Sequence, residues 1–217
     1  MKSRWRELIG SLTLTGAQCA CCGREIPEGQ LCCAQCESEE NALLNRDGFC
    51  GGGVLYAYRY SGAVRGLLRR FKYGDMPRYA VLIAQKMADF LQDYEVHADL
   101  VTFVPIHPER KQMRGYDQAE LIAGNLAMLL GLPFVPLLVR EKNTKPQYRF
   151  NSAERAENIR GAFALVENAE IKGKNVLLID DIYTTGATMA EALKPLAAAG
   201  ASVMAYAYAR EFPGEEK

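Results

Sequence analysis

The sequence predicts an α/β domain built on a parallel sheet, preceded by a small cysteine-rich appendage. Three observations carry this. All seven cysteines fall in the first 50 residues. From residue 54 onward, short apolar strand patterns alternate with helical ones. One of those strands, Val176-Leu177-Leu178-Ile179, is an unbroken apolar run, as a strand covered on both faces requires. A chain of 217 residues has room for one such domain and an appendage, not for two full domains. With 49% apolar and 24% charged residues it can bury a core, which excludes a disordered chain.

The appendage is assigned to residues 1–50 and the body to 51–217, with Gly51-Gly52-Gly53 as a hinge. Two C-x-x-C pairs, Cys19/Cys22 and Cys33/Cys36, enclose ten residues that include Gly23, Pro27 and Gly29. Two tight knuckles at this spacing can bring four thiolates around one tetrahedral ion, and zinc is the expected metal. Four thiolates leave no open position for water, so the role is a structural staple or a docking surface. Cys21 and Cys32 adjoin nominal ligands, and Cys50 can replace one of them.

In the body, Val54 to Tyr60 alternates as a strand does. Helices follow over 62–73 and 78–93, separated by Pro77, with Leu67, Leu68 and Phe71, then Ile83, Met87 and Phe90, at helical spacing. Next come a strand at Leu100–Val104, a helix over 117–130 and a strand at Phe134–Val139. After a polar stretch of 21 residues, 140–160, strands at 162–166 and 175–180 flank a turn at Lys172-Gly173-Lys174. A helix over 187–199 contains Pro195, which removes one hydrogen bond, and a strand at 202–208 closes the order.

The longest nearly apolar run, Ala127 to Val139, is broken by Gly131, Pro133 and Pro136 and is too short for a membrane span. Near the N-terminus, Glu7, Ser11 and Thr13 spoil a likeness to a signal peptide, so a cytoplasmic protein is expected. Lys+Arg and Asp+Glu balance at 26 each, which removes any global electrostatic argument for a polyanion partner. The charge is uneven, however: residues 51–160 carry 16 basic and 11 acidic groups.

The sharpest signal is Val176-Leu177-Leu178-Ile179-Asp180-Asp181-Ile182-Tyr183-Thr184-Thr185-Gly186-Ala187-Thr188. It sets two carboxylates at the carboxyl end of a buried strand, where open α/β sheets bind ligands. Thr184 to Thr188 can then fold into a concave turn that offers backbone N–H groups and a helix N-terminus to one oxyanion. Two acids beside a phosphate cradle make sense if the pair meets hydroxyls, a magnesium ion, or both.

This string resembles the 5-phosphoribosyl-1-pyrophosphate (PRPP) motif of type I phosphoribosyltransferases. Further segments narrow the likeness: Val104-Pro105-Ile106-His107-Pro108-Glu109-Arg110-Lys111, Arg114-Gly115-Tyr116-Asp117-Gln118-Ala119-Glu120, Thr144-x-x-Gln147, and Arg155-x-x-Asn158-x-x-Gly161. With Phe71-Lys72-Tyr73-Gly74 and the cysteine knuckle, they resemble the ComF family from about Cys19 to Arg210. That resemblance implies a phosphoribosyltransferase-like protein tied to DNA uptake during natural transformation. Its partners would be PRPP with Mg²⁺, a DNA-translocating helicase and a single-strand recombination mediator.

On the resemblance, Asp180 and Asp181 hold the ribose 2′- and 3′-hydroxyls, and Thr184, Thr185, Gly186, Ala187 and Thr188 take the 5′-phosphate. Val104, Pro105, Ile106 and His107 lead to Arg110 and Lys111, which would neutralise pyrophosphate; His107 contacts it or packs beside Pro108. Lys145, Gln147, Arg155 and Asn158 belong to a stretch similar to the mobile catalytic loop. Purine-salvage relatives carry an aspartate where this chain has Thr184, which argues against hypoxanthine or guanine as acceptor. A second class of function is single-stranded DNA binding through Arg65, Arg69, Arg70 and Lys72, interleaved with Tyr58, Tyr60, Phe71 and Tyr73. The transferase and the non-catalytic DNA-uptake accessory remain the two readings.

Overall fold

The apolar run at 176–179 sits in the middle strand of three parallel neighbours. The structure is a computed structural model that describes residues 18–50, 53–74, 76–142 and 157–212. Its elements are α1 (Ala34–Ala42), β1 (Phe49–Cys50), β2 (Val54–Arg59), α2 (Gly62–Tyr73), α3 (Tyr79–Leu91), β3 (Leu100–Phe103), α4 (Pro108–Arg114), α5 (Gln118–Leu130), β4 (Leu138–Arg140), β5 (Phe163–Leu165), β6 (Asn175–Tyr183), α6 (Ala187–Ala198) and β7 (Ser202–Arg210). The main sheet has the order β1-β2-β7-β6-β3. All its pairs are parallel except β1 with β2.

Alternation along β6 explains why the run has no polar break. Leu177 and Ile179 face a core that α2, α3 and α5 cover, with Leu67, Phe71, Ile83 and Ile122. Val176 and Leu178 face the other core, which α6 and the β4–β5 pair close with Met189, Ala192, Leu196 and Leu138. The sheet is therefore covered on both sides, and its strand ends are left for chemistry.

The appendage joins the first of these cores: Cys19, Cys21, Cys32 and Cys36 cluster with Leu67, Leu68 and Phe71. Gly66 makes the approach feasible, because a Cβ there would lie 2.4 Å from the carbonyl oxygen of Cys21. Phe49 and Cys50 pair with Leu55 and Val54, so the end of the appendage is an edge strand of the body's own sheet.

Helices α2, α3 and α5 fall where helical spacing predicts, and α6 runs through Pro195 with one hydrogen bond given up. Two segments differ from expectation. The segment after Val104 is not simply a loop: Pro108 at the first turn, the cap from His107 and the left-handed Gly115 make 108–114 a short helix. At Phe134–Val139, Phe134 bridges Val101, whereas Leu138–Arg140 turns away to pair antiparallel with Phe163–Leu165. Pro133 and Pro136 cannot donate to a ladder, which interrupts any single strand there. Among the described residues no helix is long and apolar enough to cross a membrane.

Candidate functional site

Strand β6 runs three residues past the expected end and carries Asp180 and Asp181 out between β7 and the segment that follows β3. Asp180 is half-buried, and its Oδ1 accepts the N–H of Asp181 at 2.8 Å. Burial, reinforced by the neighbouring Asp181 charge, pushes its carboxyl well above the usual range. Asp181 is tied differently: its Oδ2 lies 2.6 Å from Nζ of Lys72, with the two side chains 13% and 20% exposed. Burial opposes the Lys72 charge, but Asp181 and Asp180 together outweigh it and raise its pKa.

The cradle follows at once. Gly186 is the left-handed cap of α6, at φ 82°, and a Cβ there would sit 2.5 Å from Oη of Tyr183. Glycine is required on both counts. Thr184, Ala187 and Thr188 are half-buried around it and Thr185 is exposed.

On the opposite side, Val104 donates its N–H to the carbonyl of Ile179, which fixes the 104–107 segment to the end of β6. Ile106 donates to Oδ2 of Asp117 at 2.8 Å, and the same carboxylate caps α5 through the N–H groups of Ala119 and Glu120. Burial raises Asp117 to about 6, against the N–H groups of Ile106 and Glu120 that favour its charge. His107 uses its Nδ1 to accept the N–H of Glu109, so it caps α4 beside Pro108.

Arg110 is half-buried, and burial, then Arg114, lowers its pKa. Lys111 reaches over to Glu120 in a partly exposed ion pair. Arg140 is buried nearby, with its guanidinium 5.4 Å from the Phe163 ring centroid. Burial, then Arg110, lowers it to about 10, while the charges of Asp180 and Asp117 oppose the shift.

Of the mobile-loop candidates, Lys145, Gln147 and Arg155 lie outside the described residues, and Asn158 is half-buried. The nucleic-acid candidates diverge. Lys72 is committed to Asp181, and Arg70 bonds Gln18 and lies over Gly23 of the knuckle. Arg65 is half-buried and Arg69 exposed. Beyond them stand Tyr73, 77% exposed with the Arg114 guanidinium 5.9 Å from its ring, and Met113, 88% exposed.

Sequence reasoning gave Asp117, Arg140 and the contact of Lys72 with the acids no part in this site. Asp117 had a visible signal, an N-cap acid three residues before Glu120. Arg140 had none, since its place depends on how β4 folds back.

In the appendage, the ligand atoms of Cys19, Cys22, Cys33 and Cys36 all lie within 4.8 Å of one another, as the spacing predicts, so the four thiols fit a metal ion. Burial opposes ionisation of Cys19, but the N–H groups of Cys22, Cys33 and Cys21 turned on its sulfur bring it down to about 6.

A family model described as phosphoribosyl transferase domain matches residues 117–211. The chain is 32% identical over 182 residues to competence protein ComFC of Bacillus subtilis, covering 81% of this chain and 70% of that one. It is 27% identical over 185 residues to competence protein F of Haemophilus influenzae, covering 82% of this chain and 77% of that one. A DNA utilization protein, YhgH of Salmonella typhi, is 30% identical over 49% of this chain and 46% of its own length.

Proposed function

The chain belongs to the ComF family, with a phosphoribosyltransferase domain, and from that premise we propose that it binds PRPP with Mg²⁺ at the end of β6 and transfers the phosphoribosyl group in the course of handling imported DNA. One observation carries this reading. Two half-buried carboxylates, one already matched by a lysine, stand on the strand end that leads into a left-handed glycine opening a helix N-terminus.

Asp180 and Asp181 accept hydrogen bonds from the ribose hydroxyls. The turn at 184–188 holds the 5′-phosphate with backbone N–H groups. Arg110 and Arg140 face the pyrophosphate, and Asp117 keeps the 104–107 segment in place for it. Lys72 pairs with Asp181 and orients it. Magnesium would be held by Asp180 and Asp181 and would supply charge neutralisation for the leaving group. The bond from the anomeric carbon to pyrophosphate breaks, a bond to the acceptor's nucleophilic atom forms, and the acceptor's proton passes to solvent. Zinc on Cys19, Cys22, Cys33 and Cys36 staples the appendage, which suits a reducing cytoplasm.

Phosphorus NMR of the zinc-loaded protein with PRPP and Mg²⁺, with bases, amines and ammonia offered in turn, tests the reading. Broadened PRPP resonances, abolished by Asp181→Asn, and free pyrophosphate dependent on one acceptor are expected. Unperturbed resonances overturn it.

The exposed Tyr73 and Met113, the half-buried Arg114 beside Tyr73, and the exposed Arg69 on the same helix as Tyr73 favour a second reading, single-stranded DNA binding. It predicts binding that weakens with salt and in Arg69→Ala/Arg114→Ala; unchanged affinity in that variant refutes it.

A further inference from the structure

Six cysteines of the appendage crowd into one cluster, and a single tetrahedral ion uses four. Cys21 and Cys32 are left over, both buried, with their sulfurs 3.5 Å apart. They are not an isolated pair. The sulfurs of Cys19, Cys21 and Cys32 all lie within 4.8 Å of one another, so Cys19 belongs to this trio as well as to the first set of four. A metal–sulfur bond of about 2.3 Å sets three thiolates around one ion about 4 Å apart. One separation in the trio is 3.5 Å and the other two do not exceed 4.8 Å, which is compatible with that value.

We propose that Cys21, Cys32 and the shared Cys19 form a second metal site, a three-thiolate site for Cu(I), so that the appendage holds two ions bridged by one cysteine.

The coordination number selects the ion. Among the described residues no fourth histidine, cysteine or carboxylate joins the trio. The carboxylate that acts electrostatically on Cys21 is Glu40, and both its oxygens are engaged, one by Lys86 at 2.6 Å and the other by the Tyr208 hydroxyl at 3.0 Å. The three cysteines are almost fully buried, which leaves no place for a water ligand. Zinc in a closed site asks for four ligands, whereas Cu(I) is soft, prefers thiolate and is satisfied with three.

Binding displaces the thiol protons of Cys21 and Cys32 to solvent. A cation lies on the same knuckle: the Arg70 guanidinium packs on Gly23, where a Cβ would meet its Nη1 at 2.6 Å. The bridging role of Cys19 rests on the zinc reading of the first four cysteines, and zinc content alone tests that reading separately.

The experiment loads the full-length protein with one zinc under anaerobic conditions. Cu(I) is then added against a chromophoric Cu(I) chelator, and both metals are counted after desalting. One copper is expected beside one retained zinc. The Cys21→Ser/Cys32→Ser variant should keep its zinc, which reports that the knuckle is folded, and take up no copper. Copper K-edge absorption on the unaltered protein should show three sulfur neighbours, a readout independent of any variant. Copper that displaces zinc one for one, equal uptake by the variant, fewer than three sulfurs, or a Cys21–Cys32 disulfide in the anaerobic protein each overturns the proposal.

Discussion

Replacing Lys72 with methionine tests the electrostatics on which the site depends. Methionine keeps much of the aliphatic stem but removes the ammonium that lies 2.6 Å from Asp181. Two unit charges at that separation attract by about 6 kcal/mol at an effective dielectric near 20. Desolvation of both groups cancels part of this, and removing one member of a buried pair typically costs about 3–5 kcal/mol. Because 20% and 13% of the two side chains remain exposed, about 3 kcal/mol is expected at pH 7. That corresponds to a fall of about 6–12 °C in Tm for a domain of this size.

Urea unfolding of Lys72→Met, Asp181→Asn and the double variant would give the coupling directly, and the double variant should be less destabilised than the sum of the singles. Acid offers a second check. Asp180 is raised in the folded state, so its protonated form is the favoured one, and that contribution is full below the unfolded value near 4 and lost as pH rises toward the folded value. Acidification therefore relieves the uncompensated acid pair, and the deficit of Lys72→Met should shrink. A loss below about 0.5 kcal/mol, or strictly additive variants, refutes the argument.

Gly186→Ala combines a left-handed backbone, worth about 1–2 kcal/mol, with displacement of Tyr183; PRPP affinity measured by calorimetry should fall at least about tenfold. Gly66→Ala sets a methyl against the Cys21 carbonyl, so unfolding stability should drop by about 1–3 kcal/mol and a chelator should extract the knuckle's metal faster. Asp117, raised to about 6, stabilises the fold fully below the unfolded value near 4, and that contribution disappears as pH climbs through 6. In Asp117→Asn the urea midpoint should therefore vary less between pH 4 and 6 than in the parent protein, by about 2–3 kcal/mol in unfolding free energy.

What could be read in advance follows the range of the interactions. Helical spacing placed α2 at its observed bounds because Leu67, Leu68 and Phe71 meet the core at a period the sequence displays. The acid pair, the cradle and the cluster of four cysteines were legible for the same reason, since each is a contiguous string or a short spacing. The rest depends on contacts across long separations. Nothing near Lys72 in sequence announces that its ammonium will meet an acid more than a hundred positions later, so in a basic, aromatic stretch it read as a nucleic-acid contact. Arg70 misled in the same way, because its partner is the knuckle. The short helix α4 carries its own signals, Pro108 at the first turn and Gly115 at the end, but in sequence the segment reads only as a strand-end loop presenting Arg110 and Lys111.

Helix α2 connects the two chemistries of the molecule. One of its faces bears on the appendage through Gly66, which admits the Cys21 carbonyl, and Arg70, which reaches Gln18 and Gly23. Lys72, half a turn further on, holds Asp181. The helix has only 12 residues, ends at Gly74, and is fixed in between by Leu67, Leu68 and Phe71, so it moves as one body if it moves at all. With a metal in the knuckle as proposed, its removal would take away the order of the surface on which Gly66 and Arg70 rest. The ammonium of Lys72 is then held only from the core side. The acid pair, whose like charges are kept together in part by that ammonium, is the place where the loss is felt. On the proposed reading of a metal staple and a PRPP site, chelation of the knuckle's metal should therefore weaken PRPP binding through the position of one lysine, and PRPP titration by calorimetry before and after chelation checks it; equal affinity in both states refutes the coupling.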